Sequence, residues 1–234
     1  MAPSAGAGSV AGVAAEAGGA AEGGEAVGAG GVAGAGAGRT GRLTAKGERT
    51  RGRIVATAAR LMHEGGVAET TVEDVKAAAG VSSSQLYHYF TDKEALVQAV
   101  IDHQADAIVG NTERAGLGTP EGILVWRDLV LAAAQQSGGQ GGCPLGSLGG
   151  QLAEIDAEAR GQVAAGFGRW AGAISDGLRA LHAAGQLRPG LDPDDAAVTL
   201  LATLQGALLL AQVQRDTTAL ATALDTVLAL ILAP

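Results

Sequence analysis

"TTVEDVKAAAGVSSSQLYHYFTDKEALVQAV", residues 70–100, decides the fold. Thr71 followed by Asp74 marks a helix start, because the pair can satisfy amides that a first helical turn leaves without partners. Gly80 stops that short helix. Ser82 with Gln85 repeats the device, and Thr91 with Glu94 repeats it again. Three starts between residues 71 and 91 define three helices joined by very short turns. Val75, Ala79, Val81 and Leu86 form one apolar set across the glycine turn, which predicts a helix-turn-helix. In that motif the first helix crosses the DNA backbone and the second enters the major groove.

The aromatic residues support the same conclusion. The chain has two Tyr, two Phe and two Trp, and three of these six stand at positions 87, 89 and 90. Leu86 and Phe90 supply a buried face at i, i+4 spacing. Ser83, Ser84, Gln85, Tyr87, His88 and Tyr89 are then left for solvent or DNA. Small serines allow close approach to base edges, and a Gln amide can pair with adenine at two points. Tyrosine phenols reach phosphate oxygens. Lys93 is expected to bring a cation to the N-terminal amides of the next helix, making a phosphate clamp.

Charge is distributed unevenly along the 234 residues. The net charge is −8, yet residues 39–93 carry nine basic and six acidic residues. Residues 94–234 carry seven basic and fifteen acidic residues. A basic segment inside an acidic chain is the footprint of a local phosphate contact rather than of general adhesion to nucleic acid. Residues 1–45 are expected to form a disordered tail, since 27 of the first 38 are Gly or Ala. Residues 46–92 are assigned to DNA binding and 93–234 to a second helical domain.

Beyond residue 91 the pattern stays helical. Helices are predicted to about 113, over 120–136, from near Pro144, over 156–184, over 193–213 and over 216–232, with no sheet. One cysteine excludes an intrachain disulfide and a cysteine-cluster zinc site, and the four His lack ligand spacing. No cofactor or metal is expected. The apolar run 196–213 contains Gln205, Gln212, two Thr and a Gly, so a buried protein helix is expected rather than a membrane span. The N-terminus has no signal-like pattern, and a cytoplasmic location is expected.

Residues 48–101 resemble the TetR family of bacterial transcriptional repressors in an arginine-rich first helix, a Thr-capped second helix, the A-G-V-S turn, "LYHYF" and "KEAL". The resemblance implies an all-α homodimer. Its N-terminal three-helix helix-turn-helix domain would bind DNA, and its C-terminal helical domain would hold a ligand and the dimer interface. Carried over by position, Thr71, Ser82, Ser83, Ser84, Gln85, Tyr87, His88, Tyr89 and Lys93 form the DNA set, with Arg49 and Arg51 as helpers. Two residues depart from the pattern. Lys76 occupies a position that usually holds a small residue, and Ser83 one where a basic residue is common.

The family pattern also implies dimerisation through the last two helices, a palindromic operator as partner and a small-molecule effector. Candidate pocket walls are Ile123, Trp126, Leu152, Phe167 and Trp170, because ligand pockets are mostly apolar. Cys143 precedes Pro144 at a helix start, where a thiolate is favoured. "GCPLGSL" resembles a subgroup of TetR-like regulators, so a thiol-based sensor of oxidants or electrophiles acting through Cys143 is the alternative to effector release. A helical enzyme is disfavoured by the lack of a paired acid and base, a P-loop lysine or a metal set. A helical interaction protein with a vestigial DNA-binding domain is the third possibility.

Overall fold

Capping chemistry sets the limits of the helices. The computed structural model describes residues 43–233, so the expected tail lies, up to residue 42, outside the described residues. Helix α1 (Ala45–Gly65) starts at Thr44, whose hydroxyl accepts the Gly47 amide at 3.2 Å. It is followed by α2 (Val72–Ala79), α3 (Ser83–Tyr89) and α4 (Lys93–Ala115). The cap of α4 differs from the expectation. Asp92, not Thr91, accepts the Ala95 amide at 2.7 Å. A carboxylate one residue further on is the stronger acceptor, and Thr91 turns its hydroxyl to that carboxylate instead.

Helices α5 (Pro120–Gln136), α6 (Pro144–Leu152) and α8 (Pro193–Gln214) each begin on a proline, which loses no hydrogen bond in a first turn. Helix α7 (Ala157–Ala183) and α9 (Thr218–Ile231) complete nine helices among the described residues. The one extended pairing among them is an antiparallel bridge between Leu187 and Leu232. Flanking bonds from Arg188 N to Ile231 O and from Ala233 N to Gln186 O, at 2.8 and 2.9 Å, tie the α7–α8 loop to the last described residues.

One apolar core runs through the chain from Leu43 onward. Helix α1 contributes Ile54, Val55, Ala58 and Met62, one stripe at helical spacing. Helix α4 packs on α1, α5, α6 and α7, and α7 and α9 both pack on α8. Helix α8 is long and apolar enough to cross a membrane, but here one side of it is packed. One chain of this size cannot cover every apolar side of such a helix. Val198, Leu209 and Val213 on its other side are 59–75% exposed.

The glycine-rich loop 137–143, which connects α5 to α6, packs between α1 and α8. Gly139, Gly141 and Gly142 have φ of 72°, 80° and 62°. A methyl group on Gly141 would lie 2.2 Å from His63 Nε2 of α1. On Gly142 it would lie 2.6 Å from Gln212 Oε1, and on Gly139 2.7 Å from the Ala211 carbonyl oxygen, both on α8. Beside this loop the Val67 amide donates to Gln151 Oε1 of α6 at 2.7 Å. His63 Nδ1 is buried there without a partner, and burial holds the imidazole below its ordinary pKa, against a smaller opposing pull from Glu64.

The glycines of α7 divide into two kinds. A methyl on Gly166 would meet Ala105 at 3.0 Å, and on Gly177 it would meet Leu117 at 2.5 Å, so these two allow close packing. Gly161, Gly168 and Gly172 face nothing within 4 Å. Opposite effects are therefore expected in denaturant titrations. Gly168→Ala should stabilise by about 0.5–1 kcal/mol through helix propensity. Gly177→Ala should destabilise by roughly 1–3 kcal/mol through overpacking. His63 supplies a pH test. Its folded pKa is depressed, so it stabilises fully above its ordinary value of 6.5, and that stability is lost as pH falls toward the folded pKa. The thermal midpoint should drop between about pH 7 and pH 5, and His63→Gln should flatten that part of the profile.

Candidate nucleic-acid interface

Helices α2 and α3 are each opened by a complete capping box. Thr71 Oγ1 accepts the Asp74 amide at 3.1 Å, and Asp74 Oδ2 accepts the Thr71 amide at 3.0 Å. The Thr71 hydroxyl also donates to that carboxylate at 2.5 Å, and these bonds hold the Asp74 carboxyl below its ordinary pKa. In α3, Ser82 Oγ accepts the Gln85 amide at 3.2 Å, and Gln85 Oε1 accepts the Ser82 amide at 3.0 Å. Between the helices Gly80 takes a left-handed conformation, φ 63° and ψ 43°, and the Val81 amide returns to the Lys76 carbonyl at 3.2 Å. A seven-residue helix has little stability of its own, so these terminal bonds and the burial of Leu86 and Phe90 hold it in place.

The expected polar face is presented to solvent. Ser82, Ser83, Ser84, Gln85, Tyr87 and His88 are exposed, with Tyr87 at 53%. Tyr89 differs, being half-buried against the core. A methyl on Gly47 would lie 3.5 Å from the Tyr89 hydroxyl, so this phenol meets the start of α1. The His88 ring stands edge-on to the Tyr89 ring, 5.0 Å between centroids. Arg49 and Arg51 are exposed on α1. The Arg51 guanidinium lies 5.3 Å from the Phe90 ring centroid, which holds the basic row of α1 beside the end of α3.

Four members of the DNA set also carry structural duties: the caps at Thr71, Ser82 and Gln85 were legible in the sequence, and the bond of Lys93 was not. Thr71 is committed to its capping box. The Gln85 oxygen is held by the Ser82 amide, so two-point pairing with adenine requires release of that bond, while the Gln85 NH₂ group is not used by the cap. The Lys93 ammonium donates to the Ala68 carbonyl at 3.2 Å, and the Asp92 carboxylate already occupies an amide at the start of α4. A phosphate there would stand beside the Asp92 carboxylate. Sequence inspection left Lys76 outside the DNA set. Its ammonium pairs with Glu73 and donates to Ser83 Oγ at 3.3 Å, on the exposed side of α3.

The candidate pocket residues lie far along the chain from this face. Ile123, Trp126, Leu152 and Trp170 are buried in the main core, and Phe167 is half-buried. Phe167 and Trp170 stack with centroids 6.4 Å apart. Trp170 Nε1 and Gln162 Oε1 are buried without hydrogen-bond partners among the described residues. Cys143 caps α6, accepting the Gly146 amide at 3.3 Å. Its thiol does not follow the helix-terminus expectation. Burial pushes its pKa up, outweighing the hydrogen bonds that pull it down, so it is less ionised than a free cysteine.

A capped α2, a glycine turn and a short polar α3 over a helical body define a helix-turn-helix transcriptional regulator. Residues 54–100 match the family model for bacterial regulatory proteins of the tetR family, and residues 125–227 match the tetracyclin repressor-like C-terminal domain. An HTH-type transcriptional regulator of Mycobacterium tuberculosis is 30% identical over 177 residues, covering 73% of this chain and 88% of that protein. The crystal structure of a TetR regulatory protein from Rhodobacter sphaeroides superposes with a TM-score of 0.70 at 20% identity, covering 78% of this chain and 98% of that one. The complex of SmeT, the repressor of a Stenotrophomonas maltophilia multidrug efflux pump, with triclosan superposes with a TM-score of 0.62 at 27% identity, covering 79% and 92%. The chain belongs to the TetR family.

The capping box of α3 is open to a direct check. Ser82→Ala should cost about 1 kcal/mol, seen as a lower urea midpoint.

Proposed function

We propose that the protein is a homodimeric repressor, held on a palindromic operator and released by a small, largely apolar effector. The observation that carries DNA reading is the solvent-facing set Ser83, Ser84, Gln85, Tyr87 and His88 on a helix fastened by Leu86 and Phe90. Hydroxyls, an amide and an imidazole on one exposed helix surface match the donors and acceptors of base edges. Residues 46–92 carry this role, and 93–234 carry dimerisation and effector binding. Arg49 and Arg51 support the backbone contact. The protein acts in the cytoplasm, where its DNA lies.

The exposed side of α8 supports dimerisation. Val198, Leu209, Leu210 and Val213 are 48–75% exposed, and Leu230 of α9 is 57% exposed. Ala202 and Gly206 lie along the same helix and are exposed. Large apolar side chains flanking small ones suit close helix packing against a second copy, in a contact that uses the same patch twice. Such a dimer presents two α3 helices to successive turns of DNA, hence the palindrome.

For the effector, Trp170 Nε1 is the informative atom. A buried donor without a partner is costly, and a ligand carrying one acceptor beside an apolar body would satisfy it. SmeT holds triclosan, an example of such a compound in a relative. Release requires the effector to prefer a conformer whose recognition helices are mis-spaced for DNA.

Footprinting on the DNA flanking its own gene tests the proposal, and protection of an inverted repeat is the expected result. Protection of no site at low salt would sink it. Gln85→Ala should relax selectivity at one base position by roughly 1–3 kcal/mol, measured by binding to a panel of single-base operator variants.

A further inference from the structure

Helix α3 contains no Lys or Arg. Lys76 is the one such residue, among the described residues, that hydrogen-bonds to an α3 side chain, reaching Ser83 Oγ at 3.3 Å. Its stem is half-buried at the α2–α3 crossing, with 27% of the side chain exposed. The charged end therefore emerges beside the first residue of the recognition helix. Ser82, Ser83 and Ser84, the residues around it, are all exposed and small.

The geometry points to Lys76 as a DNA phosphate contact, delivered by α2 to the entry point of α3. This rests on the DNA-binding reading above. Three observations favour phosphate over a base. Helix α2 is the element that crosses the backbone when such a motif docks. Its ammonium is a point charge without the planar fork that reads guanine at two points. Its reach ends at Ser83 rather than at Ser84 or Gln85.

Without DNA the charge is held by Glu73, one turn earlier on α2. Glu73 is 65% exposed, and such a pair is screened and weak. A phosphate entering beside Ser83 can take the ammonium from it at little cost. Glu73 thereby lowers affinity, because its carboxylate stays near the incoming phosphate. Three nearby cations have other partners: Lys93 the Ala68 carbonyl, Arg60 the Glu64 carboxylate and Arg51 the Phe90 ring. Lys76 thus supplies positive charge where α3 has none.

Salt dependence of binding tests this, with a duplex from the DNA flanking the gene and a random-sequence duplex of equal length as probes. Lys76→Met keeps the packed stem and removes the charge. It should flatten the slope of log K against log salt by about one, weakening binding roughly ten-fold at 50 mM salt and about three-fold at 200 mM. Both duplexes should lose the same factor, because phosphate carries no sequence information. Lys76→Arg should keep the wild-type slope, and Glu73→Gln should bind about three-fold tighter at low salt. Circular dichroism and thermal midpoints verify that each variant folds. A slope unchanged in Lys76→Met overturns the proposal, as does a loss confined to the specific duplex. Wild-type protein that binds neither duplex removes the DNA-binding reading itself, an outcome separate from both.

Discussion

The recognition surface depends on two buried side chains, one in a helix of seven residues and one on the extended residue that ends it. Leu86 and Phe90 sit in the core shared with α1, α2 and α4, and they set the rotation of α3 about its axis. Burying Leu86 within α3 and Phe90 just beyond its end turns Ser83, Ser84, Tyr87 and His88 outward together. The two capping boxes and the left-handed Gly80 then limit how far α3 can slide or tilt relative to α2. The polar face is therefore a consequence of packing on the opposite side. Arg51 over the Phe90 ring extends the same anchor to the basic row of α1.

Two links connect this head to the rest of the chain. Helix α4 runs from the three-helix unit into contact with α5, α6 and α7. The loop before α6 is the second. Gly139, Gly141 and Gly142 come so close to His63 on one side and to Gln212 and Ala211 on the other that a methyl group fits at none of the three. Left-handed glycine was needed at these positions both for the turn and for the close approach. Close-packed contacts of this kind transmit displacement because they have little room to absorb it.

Lys76 shows how one residue can be misread from type alone. A long charged side chain at a helix crossing looks like a defect in packing. In the fold its stem lies along the crossing and its charge emerges at Ser83, so the apparent fault puts a cation on the binding face. Cys143 shows the reverse. Its position at a helix start suggested an ionised thiol, but burial raises its pKa more than the local hydrogen bonds lower it. In both cases solvent access, which no local motif encodes, decided the chemistry.

Local rules carried most of the architecture. The caps at Thr71 and Ser82, the stop at Gly80, the proline starts of α5, α6 and α8 and the apolar spacing of α1 were all legible from residues 44–231, because each depends on neighbours within four positions. The exposure of α3 was legible for the same reason. What tertiary structure alone decided are contacts between residues far apart in the chain. These are Lys93 on the Ala68 carbonyl, Gln151 on the Val67 amide, Tyr89 turned toward Gly47 and the one-sided burial of α8. Each is set by which surfaces compete for the same space after the helices have formed, and sequence spacing holds no record of that competition.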